Sequence, residues 1–191
     1  MQRISLVKLA HEIIGDALRP SDIAVDATVG NGHDTVFLAD CVGPSGHLYG
    51  FDSQQQALAA ASAKLGMRTG VTLVHASHAD MSANIPVQFH GKIRACMFNL
   101  GYLPGGDKRL VTHVDSTLAA LTCAARILAT GGILTVIAYP GHPGGEQEAA
   151  QVKHWCGQLD AGQFNVKTVY SDKGNAAAPR LFVICKTGGA A

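Results

Sequence analysis

The run Ile23-Ala24-Val25-Asp26-Ala27-Thr28-Val29-Gly30-Asn31-Gly32-His33-Asp34-Thr35 decides the fold. A short apolar segment stops at Asp26, glycines follow at Gly30 and Gly32, and a helical pattern starts at His33. That order reads as a strand, its C-terminal turn and the N-terminus of the next helix, where open α/β sheets hold their ligands. The glycines let the backbone approach a bound group that a Cβ would keep away.

Strands and helices alternate outward from this unit. Residues 4–18 put Ile4, Val7, Ala10 or His11, Ile14 and Leu18 on one face, predicting a leading helix that packs on the sheet edge and closes over the ligand. A second helix is expected over His33–Cys41, a second strand over His47–Asp52, and a helix rich in Gln and Ala from Asp52-Ser53 to Leu65. Val71–His75 and Ile93–Phe98 predict strands three and four, with one short helix in the mixed segment between them. Thr112 and Asp115 have the spacing of a capping box for a helix reaching Leu128. Gly131-Gly132 is expected to break the chain before strand five, Ile133–Ala138, an apolar run suited to a buried parallel position. A helix over 145–159, with Val152, Trp155, Cys156 and Leu159 facing the core, and strands Phe164–Tyr170 and Leu181–Lys186 complete the pattern. Right-handed crossovers then give a doubly wound, mostly parallel, seven-stranded α/β sheet with an N-terminal helix, one domain over residues 1–191.

Composition agrees with a globular domain. Hydrophobic residues make up 47% of the 191 and charged residues 15%, enough to build a core and too apolar for disorder. The formal net charge of +1 advertises no polyanion partner, so a nucleic-acid contact would need a local patch. Five cysteines, Cys41, Cys96, Cys123, Cys156 and Cys185, form no C-x-x-C and read as buried free thiols of a reducing compartment. No apolar run approaches the ~20 residues of a membrane span and no signal-peptide core precedes the first helix, so a cytoplasmic protein without membrane partners is expected.

Asp52 ends the second strand 20 residues after Gly32, where an acid accepts both hydroxyls of a ribose. That suits NAD and S-adenosylmethionine alike. A dinucleotide fingerprint, however, wants a third glycine where Thr35 stands. Asp26, four residues before Gly30, completes D-x-x-x-G-x-G, which resembles the first motif of class I S-adenosylmethionine-dependent methyltransferases. An NAD-dependent oxidoreductase stays as a third reading.

Strand four runs into Met97-Phe98-Asn99-Leu100-Gly101-Tyr102-Leu103-Pro104-Gly105-Gly106-Asp107-Lys108. Methyltransferases acting on amines carry [D/N/S]-P-P-[Y/F/W] here; Asn99-Leu100-Gly101-Tyr102 keeps the polar and aromatic ends and replaces both prolines. A side-chain amide oxygen and a backbone carbonyl can accept N–H bonds from an attacking amine and aim its lone pair, while an aromatic ring packs the acceptor. Positioning of this kind supplies several kcal/mol without a strong base.

Three motifs in order, Asp26–Thr35, Phe98–Lys108 and Tyr139–Glu148 (Y-P-G-H-P-G-G-E-Q-E), resemble the rRNA-methylase family within class I, over Leu6–Lys186. Members of that family methylate the amine of 5-aminomethyl-2-thiouridine at the tRNA wobble position. A further family motif, N-x-x-P-P, appears as Asn175-Ala176-Ala177-Ala178-Pro179 with one proline lost.

The resemblance implies roles residue by residue. Asp26, Thr28, Gly30, Asn31, Gly32, His33, Asp34 and Thr35 would surround the methionine half of S-adenosylmethionine. Asp52 would take the ribose, with Ser53 and Gln54 beside it, and His78 with Ala79 would meet the adenine where related folds use an acid and a backbone N–H. Asn99, Leu100 and Tyr102 would orient the acceptor, and Asn99 would also border the cofactor. Pro104 and Asp107 would lie along the substrate path, and Tyr139, Gly141, His142, Gly144 and Gly145 would wall the pocket. Lys108, Arg109 and Arg180 are candidates for phosphate contacts.

No metal is expected: His75-x-x-His78 and His142 lack a third ligand at a fixed spacing, and transfer from a sulfonium needs none. The expected partner is RNA, taken as the tRNA anticodon region, and a homodimer is left open. The reading is direct in-line attack of a neutral amine on the sulfonium methyl, with His142 or Asp107 available to relay the proton. An N-methyltransferase of an rRNA base or small amine, and a cofactor- or RNA-binding module without chemistry, are the alternatives.

Overall fold

The computed structural model describes residues 5–101, 112–172, 174, 175 and 177–188. Ile4, Ala176, Tyr102, Pro104, Asp107, Lys108 and Arg109 lie outside the described residues. The chain runs α1 (Leu6–Ala17), β1 (Ile23–Asp26), α2 (His33–Val42), β2 (His47–Asp52), α3 (Gln55–Leu65), β3 (Val71–His75), α4 (Met81–Asn84), β4 (Ile93–Asn99), α5 (Val114–Ile127), β5 (Leu128–Ala138), α6 (Gly145–Gln158), β6 (Phe164–Tyr170) and β7 (Arg180–Lys186).

Seven strands form one sheet in the order β3-β2-β1-β4-β5-β7-β6. The first five are parallel, β7 runs antiparallel to β5, and β6 antiparallel to β7. The chain leaves β1 towards β3, then crosses back to place β4 on the other side of β1. Asp26 pairs with Met97 there, so the carboxyl ends of β1 and β4 flank the crevice that such a reversal opens.

Alternating side chains of each strand are buried on opposite faces. Val25, Phe51, Phe98, Val136 and Phe182 pack with α5 and α6, whereas Ala24, Leu48, Met97, Ile137 and Leu181 pack with α1 and α2. Each large side chain so buried contributes about 1.5–3 kcal/mol.

Three expectations are corrected. The leading helix lies across the sheet face, touching β4, β5 and β7 rather than the edge, because Leu6, Ala10 and Ile14 are its buried residues and reach the core under β5. Strand five does not wait for the glycines: β5 starts at Leu128, and Gly131-Gly132 lie inside it where the register against β4 shifts between Ile93 and Ala95. Gly131 takes φ 73°, and a Cβ on Gly132 would meet the carbonyl of Ile93 at 3.0 Å, so the strand bends there without ending. Finally, α5 is preceded by His113 as its N-cap, with no side-chain cap. The Thr112 hydroxyl instead donates to the Glu148 carboxylate (2.8 Å). The segment between β3 and β4 holds two 3₁₀ turns, His78–Asp80 and Val87–Phe89, besides the short α4. All five cysteines are free thiols.

Candidate active site

A cleft of about 1170 Å³ opens at the carboxyl ends of β1, β2 and β4. Its floor begins with Asp26, fully buried, whose carboxylate accepts the Thr28 N–H (3.1 Å) and the Thr35 hydroxyl (2.6 Å). Burial pushes its pKa up to about 7; the Asp34 and Asp52 carboxylates act the same way, and the Thr35 and Thr28 hydrogen bonds oppose. Asp26 and Thr35 therefore sit beneath the cleft, while Thr28, Gly30, Asn31, His33 and Asp34 line it.

Gly32 does not line the cleft. Its φ of 77° starts α2, and a Cβ there would come within 2.6 Å of the Ala61 Cα, so the glycine turn is packed directly on α3. The neighbouring Gly30 N–H donates to Asp52 Oδ2 (2.9 Å), and the Gln54 N–H to Oδ1 (2.8 Å). Both carboxylate oxygens of Asp52 are thus held from the protein side, with their remaining lone pairs free for hydroxyl donors. Ser53 and Gln54 line the same wall.

His78 is buried, and burial lowers its pKa, so the ring is neutral. Nδ1 lies 3.2 Å from the Ala27 carbonyl and must carry the proton, since that oxygen only accepts. Nε2 is left as a buried acceptor without a hydrogen-bond partner among the described residues. The side chain borders the cleft; Ala79 does not, and its N–H is taken by Ser77 Oγ.

Asn99 ends β4 and is held on three sides. Its N–H donates to Thr28 Oγ1 (2.7 Å), its Nδ2 donates to Asp34 Oδ2 (2.6 Å), and its Oδ1 accepts the Tyr139 hydroxyl (3.0 Å). Burial, helped by Asp34, raises the Tyr139 pKa to about 12, so the phenol stays a donor. Leu100, Gly101, Tyr139, Gly141 and His142 continue the lining.

Other predicted residues lie apart from the cleft. Gly144 and Gly145 begin α6, where a Cβ on Gly145 would strike the Tyr139 carbonyl and the His142 ring. Arg180 pairs with Glu146 (3.3 Å) and borders a shallow depression along α6 instead.

Sequence reasoning missed His11, which reaches Asp34 from α1 at 2.6 Å, and Glu148, buried on α6 with the Thr112 and Thr117 hydroxyls on its two oxygens. Phe51, Ser77, His113 and Ser116 also line the cleft. Glu148 alone left a trace, as an acid in the Tyr139–Glu148 motif; the others sit at spacings that mean nothing until the chain is folded.

Strand order, the acid-and-glycine turn after β1 and the acid that closes β2 are those of the class I S-adenosylmethionine-dependent methyltransferase fold. Within that class the chain belongs to the family described as "Putative rRNA methylase", whose model matches residues 48–185. A protein of that description from Clostridium thermocellum has the same fold, with a TM-score of 0.90 at 36% identity, covering 97% of this chain and 100% of that one. SMU.1697c of Streptococcus mutans, crystallised in complex with S-adenosylhomocysteine, gives a TM-score of 0.84 at 31% identity over 97% of this chain and 99% of its own. The tRNA (mnm(5)s(2)U34)-methyltransferase, chloroplastic, of Arabidopsis thaliana is 36% identical over 162 residues, 79% of this chain. The matched part is 58% of that relative's length.

Proposed function

We propose that this protein transfers a methyl group from S-adenosylmethionine to an amine nitrogen on RNA, the amine of 5-aminomethyl-2-thiouridine at the tRNA wobble position. The observation that carries the reading is Asn99, an amide fixed at both ends beside the acidic turn at the sheet's reversal. The Arabidopsis relative's name supports the choice of amine.

The cleft fits the cofactor. Asp52 offers paired lone pairs to ribose hydroxyls, and His78 Nε2, an acceptor without a partner among the described residues, is suited to the exocyclic amine of adenine. Asp34 lines the cleft and Asp26 lies buried beneath it, acids that would favour a cationic cofactor, Asp26 in its ionised form. When bound, S-adenosylmethionine supplies an electrophilic methyl on a cationic sulfur.

Asn99 Oδ1 accepts one hydrogen bond from Tyr139 and keeps a second lone pair. That lone pair, with the carbonyl of Leu100, would accept N–H bonds from a neutral primary amine and leave the amine's own lone pair to take the methyl; the C–S bond would break with its electrons on sulfur, releasing the neutral thioether, and the methylated amine would leave as its ammonium form. An alkylammonium has no lone pair to offer, and like-charge repulsion near a sulfonium disfavours it. Orientation then accounts for the chemistry without a dedicated base.

Nucleoside mass spectrometry tests this, using purified protein, S-adenosylmethionine and either bulk tRNA carrying 5-aminomethyl-2-thiouridine or ribosomal RNA. One added methyl on the thiouridine is expected. Methyl gained on ribosomal RNA alone would move the substrate and leave the cofactor reading intact.

A further inference from the structure

We infer that His11, on the leading helix and outside every motif, is a positioning residue that orients the acceptor nitrogen through Asp34 and Asn99. The inference rests on the reading of Asn99 as the group that receives the amine.

His11 Nε2 lies 2.6 Å from Asp34 Oδ1, and since a carboxylate only accepts, Nε2 carries the proton. The ring is stacked on Phe37 with centroids 4.0 Å apart and planes 3° from parallel, so the direction of its N–H is fixed by α2 itself. The contact is sheltered, with the His11 side chain 26% and the Asp34 side chain 9% exposed.

The other Asp34 oxygen accepts the Asn99 Nδ2 at 2.6 Å. An amide facing a carboxylate must turn its NH₂ towards it, because the reverse would set two acceptors against each other. Asp34 therefore selects which end of Asn99 points to Tyr139 and the cleft, and His11 holds Asp34 in the position from which it does so. Residues 11, 34 and 99 come from α1, α2 and β4, and residue 139 directly follows β5, so docking of the leading helix completes the orientation of the acceptor group. With His11 removed, one oxygen of a sheltered carboxylate loses its charge-assisted partner, a bond of the kind whose loss is felt at tenfold or more in a rate.

The test compares wild type with His11→Phe, which retains a ring to stack on Phe37, and His11→Gln, whose amide can again donate to Asp34. Methyl transfer to aminomethyl-bearing tRNA gives kcat and KM, calorimetry gives S-adenosylhomocysteine affinity, and ¹⁵N NMR follows the Asn99 side-chain amide. The expected result for His11→Phe is a kcat lowered about tenfold, affinity for S-adenosylhomocysteine within about threefold, and a shifted, faster-exchanging Asn99 amide signal. His11→Gln should recover most of the rate and the amide signal. An unmoved Asn99 signal in His11→Phe, or equal loss in both variants accompanied by a lowered melting temperature, would overturn the role. The amide signal and cofactor-product affinity need no turnover. Failure of wild type to methylate would therefore count against the proposed reaction, and an unmoved signal against His11.

Discussion

The amide of Asn99 donates to Asp34 at 2.6 Å while its oxygen accepts from Tyr139 at 3.0 Å, so a single side chain is gripped from α2 and from the residue that follows β5 at once. Asn99→Ala removes both grips and the acceptor oxygen. kcat should fall about a hundredfold, the scale of a lost near-attack geometry, with S-adenosylmethionine affinity nearly unchanged. Asn99→Asp should be at least as damaging, because it sets a second carboxylate against Asp34.

Tyr139→Phe keeps the ring and deletes only the hydroxyl that donates to Asn99. The phenol is protonated throughout the neutral range, so it acts as a donor and not a base. Turnover should fall about fivefold to tenfold, the worth of one hydrogen bond, and its pH profile should keep its shape. A profile that loses a limb in steady-state assays would show Tyr139 to be a proton acceptor instead.

Asp26 should make cofactor affinity depend on pH. With its pKa pushed up to about 7, it is part protonated at neutrality, and a sulfonium favours the ionised form. S-adenosylmethionine should bind more tightly as pH rises from about 6 to 8, and the uncharged thioether of S-adenosylhomocysteine should respond less. Stability follows the opposite sign. The folded-state value lies above the ordinary 3.8, so the contribution of Asp26 is full below that value and is lost as pH rises through about 7. Asp26→Asn should therefore gain stability over wild type at pH 8 more than at pH 5, as read by urea denaturation at the two values.

Gly32→Ala should destabilise the fold. The residue needs φ 77°, which costs a non-glycine residue about 1–3 kcal/mol, and its Cβ would meet the backbone of Ala61 at 2.6 Å. Chemical denaturation should show an unfolding free energy lowered by at least that cost. Gly43→Ala, at φ 65° with open space around it, should show the backbone cost alone.

The fold was legible because its signals are local. A strand ending in Asp26, a glycine turn and a second strand ending in Asp52 need no knowledge of the rest of the chain, and both strands end at those residues in the structure. Where a residue serves a distant partner, local reading failed. Gly131-Gly132 looks like a break but is a bend that follows a register shift in the neighbouring strand. Thr112 looks like a cap, yet its hydroxyl goes to Glu148, 36 residues away. His11 looks like one more position on a helical face, and its role depends on Asp34, 23 residues on, which only the docking of α1 brings to it.

The most direct test is a single-turnover methyl transfer at saturating S-adenosylmethionine, comparing wild type with Asn99→Ala on tRNA carrying 5-aminomethyl-2-thiouridine. Wild type should add one methyl per bound thiouridine, and the variant should do so about a hundredfold more slowly at unchanged cofactor occupancy. Equal rates would contradict it, because an amine that needs no Asn99 is not oriented by the site described.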